Sequence, residues 1–311
     1  MPTDPHNEFL DRERNHRNEE VAEALNAAAD CLDEAINFGT HVLAWCTKAA
    51  TSHSAWVAPL VLSFRHCLEM LDAVSVLVRK GIVAPSNTNL RSAFESLLGI
   101  KYIIRGNLEK RGKAYIVCHL HRNLKFLSRI DPGTEMGKQF RAELEGSPIQ
   151  SVLGDKGDNL PQRRDNIKDT LEKNYPDVEE EYQKIKRSNS GRFSWYEMYG
   201  GPNNIRELAD EVDMEGWYRL LYNEWSRTSH ARDVVDRPLF TSGEESYMKS
   251  LRTPTRISPV VVNGTNLCLI ACEDVIEYLV PGRRETFEKW YMREIRSRYM
   301  DIAENLNITF S

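Results

Sequence analysis

The chain has 311 residues, of which 41% are hydrophobic and 28% are charged, and its formal net charge is -5. This composition is typical of a globular protein with one large domain or two modest ones. The negative charge gives no general attraction to nucleic acid or to acidic membranes, so a phosphate-binding surface has to be a local basic patch.

The sequence shows no pattern of secretion or of membrane insertion. Its N-terminal stretch is charged and contains no apolar core of a signal peptide. No uninterrupted apolar run approaches the roughly 20 residues that span a bilayer. The six cysteines lie inside helical patterns, without the spacing of a zinc site or of a secreted disulfide framework. We therefore expect a cytoplasmic protein with reduced core thiols and no membrane partner.

Apolar residues recur every three or four positions through the first part of the chain, which predicts amphipathic helices. The first predicted helix covers residues 19–39 and continues after a break as 42–48. The next three cover residues 58–80, 86–105 and 108–130. Gly39 is expected to break the first helix, and Gly81 is expected to cap the third segment. Because the connections are short, four successive helices predict an up-and-down bundle within an all-α fold.

The composition changes after the Asp-Pro-Gly turn at 131–133. The next segment is strongly charged and rich in Gly, Pro and Asn, which indicates short helices and loops that form either a lid or a decoration. Helical patterns return at 215–233, 263–279 and 285–305. The predicted organisation is a flexible N-terminus (1–17), a first bundle part (18–133), a charged insertion or lid (134–212) and a second bundle part with a C-terminal helix (213–311).

Two of the apolar helices each carry an arginine and a glutamate four residues apart. These are Arg65 with Glu69, and Arg91 with Glu95. A charge that leaves water needs a partner, so the two pairs predict one buried polar network between neighbouring helices. The network is either a structural device that fixes the register of the helices or the wall of a pocket that contacts a phosphate.

A polar stripe runs along the predicted helix at 215–233. On a helical wheel it consists of Tyr218, Tyr222, Ser226, Ser229, His230 and Asp233, beside an apolar face with Trp217 and Trp225. Histidine changes its charge near neutral pH, so His230 is the candidate general base. Its alternative role is that of a hydrogen-bonded structural histidine. Arg227 is either a phosphate ligand beside it or a solvated surface arginine.

Motifs for cofactors and metals do not appear in the sequence. It has no Gly-rich phosphate loop, no His-Glu-x-x-His and no Gly-x-Ser-x-Gly. His119 and His121 are two residues apart on one helix and therefore point to different faces, which does not suit one metal ion. We expect neither a cofactor nor a metal.

Residues 65–103 and 222–230 together resemble a group of uncharacterised bacterial helical proteins that share a domain of unknown function. The shared pattern is an Arg-x3-Glu helix, a Gly-containing turn, a second Arg-x3-Glu helix and a downstream Ser-x3-His, here Ser226 and His230. The resemblance covers the bundle, about half of the chain.

That group is similar in organisation to HEPN domains, which are helical bundles that often dimerise and, when active, cleave RNA with an Arg-x4–6-His motif. The resemblance implies a HEPN-like bundle with His230 as the base and an upstream arginine as the phosphate ligand. Here the pattern departs from the motif, because Arg227 precedes His230 by only three residues.

Two functions follow as alternatives. The first is a defence or toxin protein that binds RNA and cleaves it without a metal ion. Its catalytic candidates are His230, Arg65 and Arg91, and its binding candidates are Glu69, Glu95, Tyr222, Ser226, Arg227 and Ser229. The second is a non-catalytic dimeric sensor or scaffold that binds a protein regulator or a small ligand. The missing motif favours the second function, and the polar stripe favours the first.

Overall fold

The structure is a computed structural model that describes residues 10–50, 55–148, 150, 159–188, 193–230, 232, 239–242, 245–248 and 250–306. It is helical almost throughout these ranges, so the prediction of an all-α protein is confirmed. The described chain divides into two compact units. Unit 1 consists of Met1–Arg105 and Ala209–Ser311, and unit 2 consists of Gly106–Leu208.

The helices of unit 1 follow the predicted bounds closely at the start of the chain. They are α1 (Glu19–Ala50), α2 (Ala58–Arg79) and α3 (Ser86–Arg105). Gly81 has a φ of 69°, as a glycine that ends a helix does. Gly39 does not interrupt α1. A Cβ atom at that position would lie 2.6 Å from Leu68 Cδ2, so the missing side chain lets α2 pack closely on α1.

In the second half of unit 1, the helices α9 (215–229) and α11 (284–305) each contain an internal π turn, and α10 (257–279) lies between them in the chain. Helix α9 consists of Glu215–Trp217, the π turn Tyr218–Tyr222 and Asn223–Ser229, without interruption. Helix α10 is Ile257–Leu279, and α11 consists of Arg284–Trp290, the π turn Tyr291–Ile295 and Arg296–Asn305. Two short antiparallel strands, β1 (Leu239–Ser242) and β2 (Glu245–Met248), precede α10.

The core of unit 1 is a four-helix arrangement of α1, α2, α3 and α10. Its largest fully buried side chains are aliphatic or aromatic: Leu25, Leu32, Leu60, Phe64, Leu71, Leu90, Phe94, Leu97, Leu98, Ile100 and Ile103. All six cysteines are free and buried, as predicted. Burial raises the pKa of the Cys46 thiol to about 12, which keeps that thiol protonated and unreactive.

Helix α10 is the one described helix that is long and apolar enough to cross a membrane by length and composition, with a mean hydropathy of 1.3 over its most apolar window. Of that window, 56% is buried inside the protein. A core helix has this composition because it is covered by its neighbours on most sides. Here those neighbours are α1, α2 and α3.

Unit 2 contains α4 (Leu108–Ile130), α5 (Glu135–Glu143), α6 (Leu160–Asn174), α7 (Pro176–Ser188) and the start of α8 (Ile205–Glu211). Within the unit α4 packs against α5, α6, α7 and the 3₁₀ segment Trp195–Gly200. His121 joins α4 to α7, because its Nε2 atom lies 2.7 Å from Glu179 Oε2 and its ring stacks on Tyr182.

Several sequence-based expectations need correction. The predicted fourth helix of the bundle, α4, belongs to unit 2, and α10 takes the fourth place in the core. Helix α10 begins six residues earlier than predicted, at Ile257. Pro259 does not prevent this, because the N–H groups of a first helical turn have no partner within the helix.

The polar N-terminus is ordered in its second half, although the sequence predicts a flexible segment over residues 1–17. Arg14–Arg17 form a 3₁₀ turn, and the buried Asn15 donates a hydrogen bond from Nδ2 to the carbonyl oxygen of Arg252, 3.3 Å away. Residues 1–9 lie outside the described residues.

A leucine at Gly39 is expected to destabilise the fold, because it has to displace Leu68 from the contact between α1 and α2. Overpacking of this kind costs about 1–3 kcal/mol. Leucine is a good helix former, so helix propensity does not explain such a loss. The matched control is Gly216→Leu, where a Cβ atom meets nothing within 4 Å. Urea denaturation should show a large loss for Gly39→Leu and none for Gly216→Leu; equal stabilities would contradict the close packing at Gly39.

Candidate functional site

An aromatic layer holds α9 against α3. Phe94 of α3 is fully buried, and its ring contacts three rings of α9. The ring centroids lie 6.5 Å from Trp217, 6.0 Å from Tyr222 and 6.0 Å from Trp225. Because large aromatic side chains bury much area in few conformations, this layer holds α9 against α3.

Arg91 lies one turn before Phe94 and reaches across to α9. Its Nε atom donates to Glu95 Oε1 at 3.0 Å, and its Nη1 atom lies 3.3 Å from both Ser226 Oγ and His230 Nε2. The guanidinium carbon lies 4.9 Å from the centroid of the Tyr222 ring, within the range of a cation–π interaction. We call Arg91, Glu95, Tyr222, Ser226 and His230 the Arg91 cluster.

Within the Arg91 cluster, the Glu95 carboxylate accepts hydrogen bonds from two other members. Tyr222 donates from its hydroxyl to Glu95 Oε1 at 2.8 Å, so one carboxylate oxygen accepts from both Tyr222 and Arg91. Burial and the nearby Glu95 carboxylate raise the pKa of Tyr222, so the hydroxyl keeps its proton. Partial burial alone would lower the pKa of Arg91, but its hydrogen bond to Glu95 and the nearby negative charge raise it.

His230 is the exposed end of the Arg91 cluster and follows the last residue of α9 as its C-cap. Since arginine carries only donors, the contact with Arg91 Nη1 requires His230 Nε2 to accept. His230 therefore joins the Arg91 cluster as an acceptor at the surface, next to a fixed positive charge.

The π turn Tyr218–Tyr222 leads directly into the Arg91 cluster. Tyr218 and Tyr222 lie at its two ends, and their rings stack with centroids 5.0 Å apart. Single π turns inside α-helices occur frequently at functional sites. Sequence reasoning missed this feature, because a wheel drawn at 100° per residue assumes a regular helix.

The two Arg-x3-Glu pairs do not form one buried network. Arg65 Nη2 and Glu69 Oε1 are 2.6 Å apart, but their side chains are 56% and 45% exposed. The Arg91 side chain is 23% exposed. Among the described residues no hydrogen bond or ion pair joins Arg65 or Glu69 to the Arg91 cluster. The predicted network is therefore wrong, because Arg65 and Glu69 are stabilised by water and by each other rather than by burial.

The remaining predicted residues lie around the Arg91 cluster. Ser229 Oγ is 3.4 Å from Thr88 Oγ1 of α3. Arg227 is exposed, and its Nη1 atom is 3.6 Å from Glu224 Oε2. Asp233, the last member of the predicted stripe, lies outside the described residues. Within the described part of the chain, no group of three or more His, Cys, Asp or Glu side chains is arranged so that it could hold a metal ion.

The comparisons with known proteins identify a family but no characterised relative. The model of DUF5677, a family of unknown function, matches residues 57–235. No curated protein and no solved structure matches the chain. Because the match covers more than half of the sequence, this protein belongs to the DUF5677 family. The matched region contains α3 and α9, and thus the whole Arg91 cluster.

Coupling between Glu95 and Tyr222 can be measured with a double-mutant cycle. Tyr222→Phe and Glu95→Ala remove the same hydrogen bond, so we expect their effects on the free energy of unfolding to be non-additive by about 0.5–1 kcal/mol. The matched control pairs Tyr222→Phe with Glu288→Ala. Glu288 accepts from Arg284 at 3.1 Å with the same four-residue spacing on α11, so the control should be additive. Additive losses in both cycles would show that Glu95 does not hold Tyr222.

Proposed function

We propose that this protein is a cytoplasmic, HEPN-like RNA-binding protein of bacterial defence type, and that its Arg91 cluster holds a phosphodiester and cleaves it without a metal ion. One observation carries the proposal. Arg91 Nη1 lies 3.3 Å from His230 Nε2, and this pairing of a guanidinium with an imidazole at the surface supports the roles of phosphate ligand and base that we propose for them. General acid–base cleavage of RNA needs these two groups near one another.

The spatial arrangement supports the HEPN-like proposal where the sequence motif does not. HEPN ribonucleases take the arginine and the histidine from one helix. Here α9 has no arginine separated from His230 by four to six residues, since those positions are Trp225, Glu224 and Asn223, and Arg91 comes from α3 instead. Since catalysis depends on where groups lie in space, an arginine from a neighbouring helix can take the same role.

The geometry suggests how substrate binding activates the base. In the free protein, Arg91 occupies the lone pair of His230 Nε2. A phosphate oxygen is a stronger acceptor for a guanidinium than a neutral imidazole is, so bound RNA draws Arg91 away. Nε2 then becomes available for the proton of a ribose 2′-hydroxyl.

The proposed reaction is an attack within the RNA chain. The 2′-oxygen forms a bond to phosphorus as His230 takes its proton, and the bond from phosphorus to the 5′-oxygen breaks. His230 returns the proton to the leaving 5′-oxygen through solvent. Arg91 stabilises the negative charge that develops on the phosphate oxygens. The products carry a 2′,3′-cyclic phosphate and a 5′-hydroxyl group.

Arg91→Ala should weaken RNA binding by about ten- to a hundred-fold, which corresponds to the loss of one charge-assisted contact. The measurement is fluorescence anisotropy with a labelled single-stranded RNA at fixed salt. Arg65→Ala is the matched control, because Arg65 has the same glutamate spacing but lies outside the Arg91 cluster. Equal affinities of the two variants for RNA would contradict the assignment of Arg91.

His230→Asn should retain binding and lose cleavage by about a hundred-fold or more, the usual contribution of a general base. Product ends analysed on a denaturing gel should be cyclic phosphates for the wild type, and EDTA should leave the rate unchanged. Because His230 is an exposed C-cap, the melting temperature should stay close to that of the wild type. A variant that cleaves as fast as the wild type would exclude His230 as the base.

A second candidate function is a non-catalytic sensor or scaffold that acts as a dimer and binds a protein regulator. One observation favours it: the chain itself supplies acceptors to both Nε and Nη1 of Arg91, as in a structural clamp between two helices. In that case Arg91→Ala lowers the melting temperature, and the wild-type protein binds no RNA.

A further inference from the structure

A cavity of about 430 Å³ lies between α1 and α11, apart from the Arg91 cluster and outside the region that matches the family. Its size falls within the range of about 300–1,000 Å³ that is usual for small-molecule sites. The lining combines aromatic rings with charged groups, among them Phe38, Trp45, Trp290, Glu34, Lys289 and Arg293. We propose that this cavity binds a guanine nucleotide.

The wall of the cavity is a preformed set of aromatic rings. Phe38 and Trp290 stack with ring centroids 4.0 Å apart, and Trp45 meets Phe38 edge-on at 5.8 Å. Phe38 and Trp290 are buried, while Trp45 is half-buried. Trp45 is therefore the ring of this set that a ligand can reach, and a rigid, partly exposed indole is a surface on which nucleobases stack in proteins.

Glu34 supplies an acceptor at the same wall. Its Oε1 atom accepts a hydrogen bond from Trp290 Nε1 at 2.8 Å, which fixes the direction of the carboxylate. No lysine or arginine among the described residues lies within ion-pair distance of Glu34. A half-buried carboxylate without a cationic partner favours a ligand that brings N–H donors.

Guanine meets this requirement, because its N1–H and its exocyclic amino group are adjacent donors on one edge. A carboxylate accepts both, since its two oxygens carry about four lone-pair positions. Adenine presents an unprotonated N1 on the corresponding edge, which would face the carboxylate as a second acceptor. The site is therefore expected to prefer guanine over adenine.

Cations at the cavity rim suit the phosphate of a nucleotide. Lys289 and Arg293 are 74% and 78% exposed, and they pair with Glu285 and Glu294 of their own helix. Exposed pairs of this kind contribute little, so these side chains can turn to a phosphate. Arg283 does not line the cavity, but its guanidinium carbon lies 4.7 Å from the centroid of the Trp45 ring, so a further positive charge lies nearby.

Ligands of other classes would bring a charge next to a cavity residue of the same sign. An organic cation would use Glu34 and the rings but would meet Lys289 and Arg293. A simple anion would meet the carboxylate of Glu34. A nucleotide uses all three features, with its base on the rings, its donor edge at Glu34 and its phosphate at the rim.

A second cavity, of about 380 Å³, lies between α1 and α2 and differs from the first in how its charged groups are paired. Two of its charged groups are already paired: Arg79 Nη2 lies 2.8 Å from Asp30 Oδ1 and 2.6 Å from Asp33 Oδ2, and Ser75 donates to Asp33.

The test is a titration of the full-length protein with GMP, AMP and guanosine, followed by calorimetry and by tryptophan fluorescence. GMP should bind at least about tenfold more tightly than AMP, and the fluorescence should change on saturation because Trp45 and Trp290 line the cavity. No saturation by GMP up to about 1 mM, equal affinity for AMP, or saturation by the organic cation agmatine in place of GMP would overturn the proposal.

Three variants assign the contacts. Glu34→Gln should reduce GMP affinity about tenfold or more and abolish the preference over AMP, because one amide oxygen cannot replace a carboxylate; that oxygen still accepts from Trp290, which preserves the wall. Arg293→Ala should weaken the binding of GMP but not that of guanosine, because guanosine has no phosphate. Glu288→Gln, on the same helix but not among the lining residues, is the matched control and should leave the guanine preference intact. Wild-type affinity and selectivity in Glu34→Gln would overturn the proposal.

Discussion

A half-buried guanidinium has to be hydrogen-bonded from more than one direction, and at Arg91 two helices meet this requirement. Helix α3 supplies the Glu95 carboxylate one turn away, and α9 supplies Ser226 Oγ, His230 Nε2 and the Tyr222 ring. The aromatic layer under Phe94 brings the helices together, but a layer of rings alone leaves the rotation of α9 poorly defined. The directional bonds of Arg91 select the rotation in which the polar stripe faces α3.

The sequence predicts the local features of this arrangement well. The bounds of α2, α3 and α4 follow from their apolar periodicity and from the signals that end them, such as Gly81. The spacing of Tyr222, Ser226 and His230 predicts one helical face, and all three contact Arg91 or Glu95. These features depend on residues close together in the chain, where the geometry of a helix is known in advance.

Features that depend on distant segments could not be predicted. Amphipathicity shows that α4 has an apolar face but not which helix covers it, and the covering helices lie in unit 2. The π turn Tyr218–Tyr222 has no signature in the residue pattern.

The predicted network between the Arg65 and Arg91 pairs was wrong for a related reason. Since α3 runs back along α2 from the turn at 80–85, Arg65 is level with Ile100 rather than with Arg91, an offset of about 14 Å along the axis.

The Arg-x3-Glu motif therefore carries little information by itself. It occurs three times in ion pairs of the described chain, as Arg65 with Glu69, Arg91 with Glu95 and Arg284 with Glu288. In each case the four-residue spacing brings the two side chains together on one helix face, as helical geometry requires. At Arg284 a second helix, α10, also brings two carboxylates within ion-pair distance, but the arginine side chain stays 55% exposed. At Arg91 the cover by α9 lowers the exposure of the side chain to 23%. The helix that packs against the motif, rather than the motif itself, turns a surface ion pair into a candidate site.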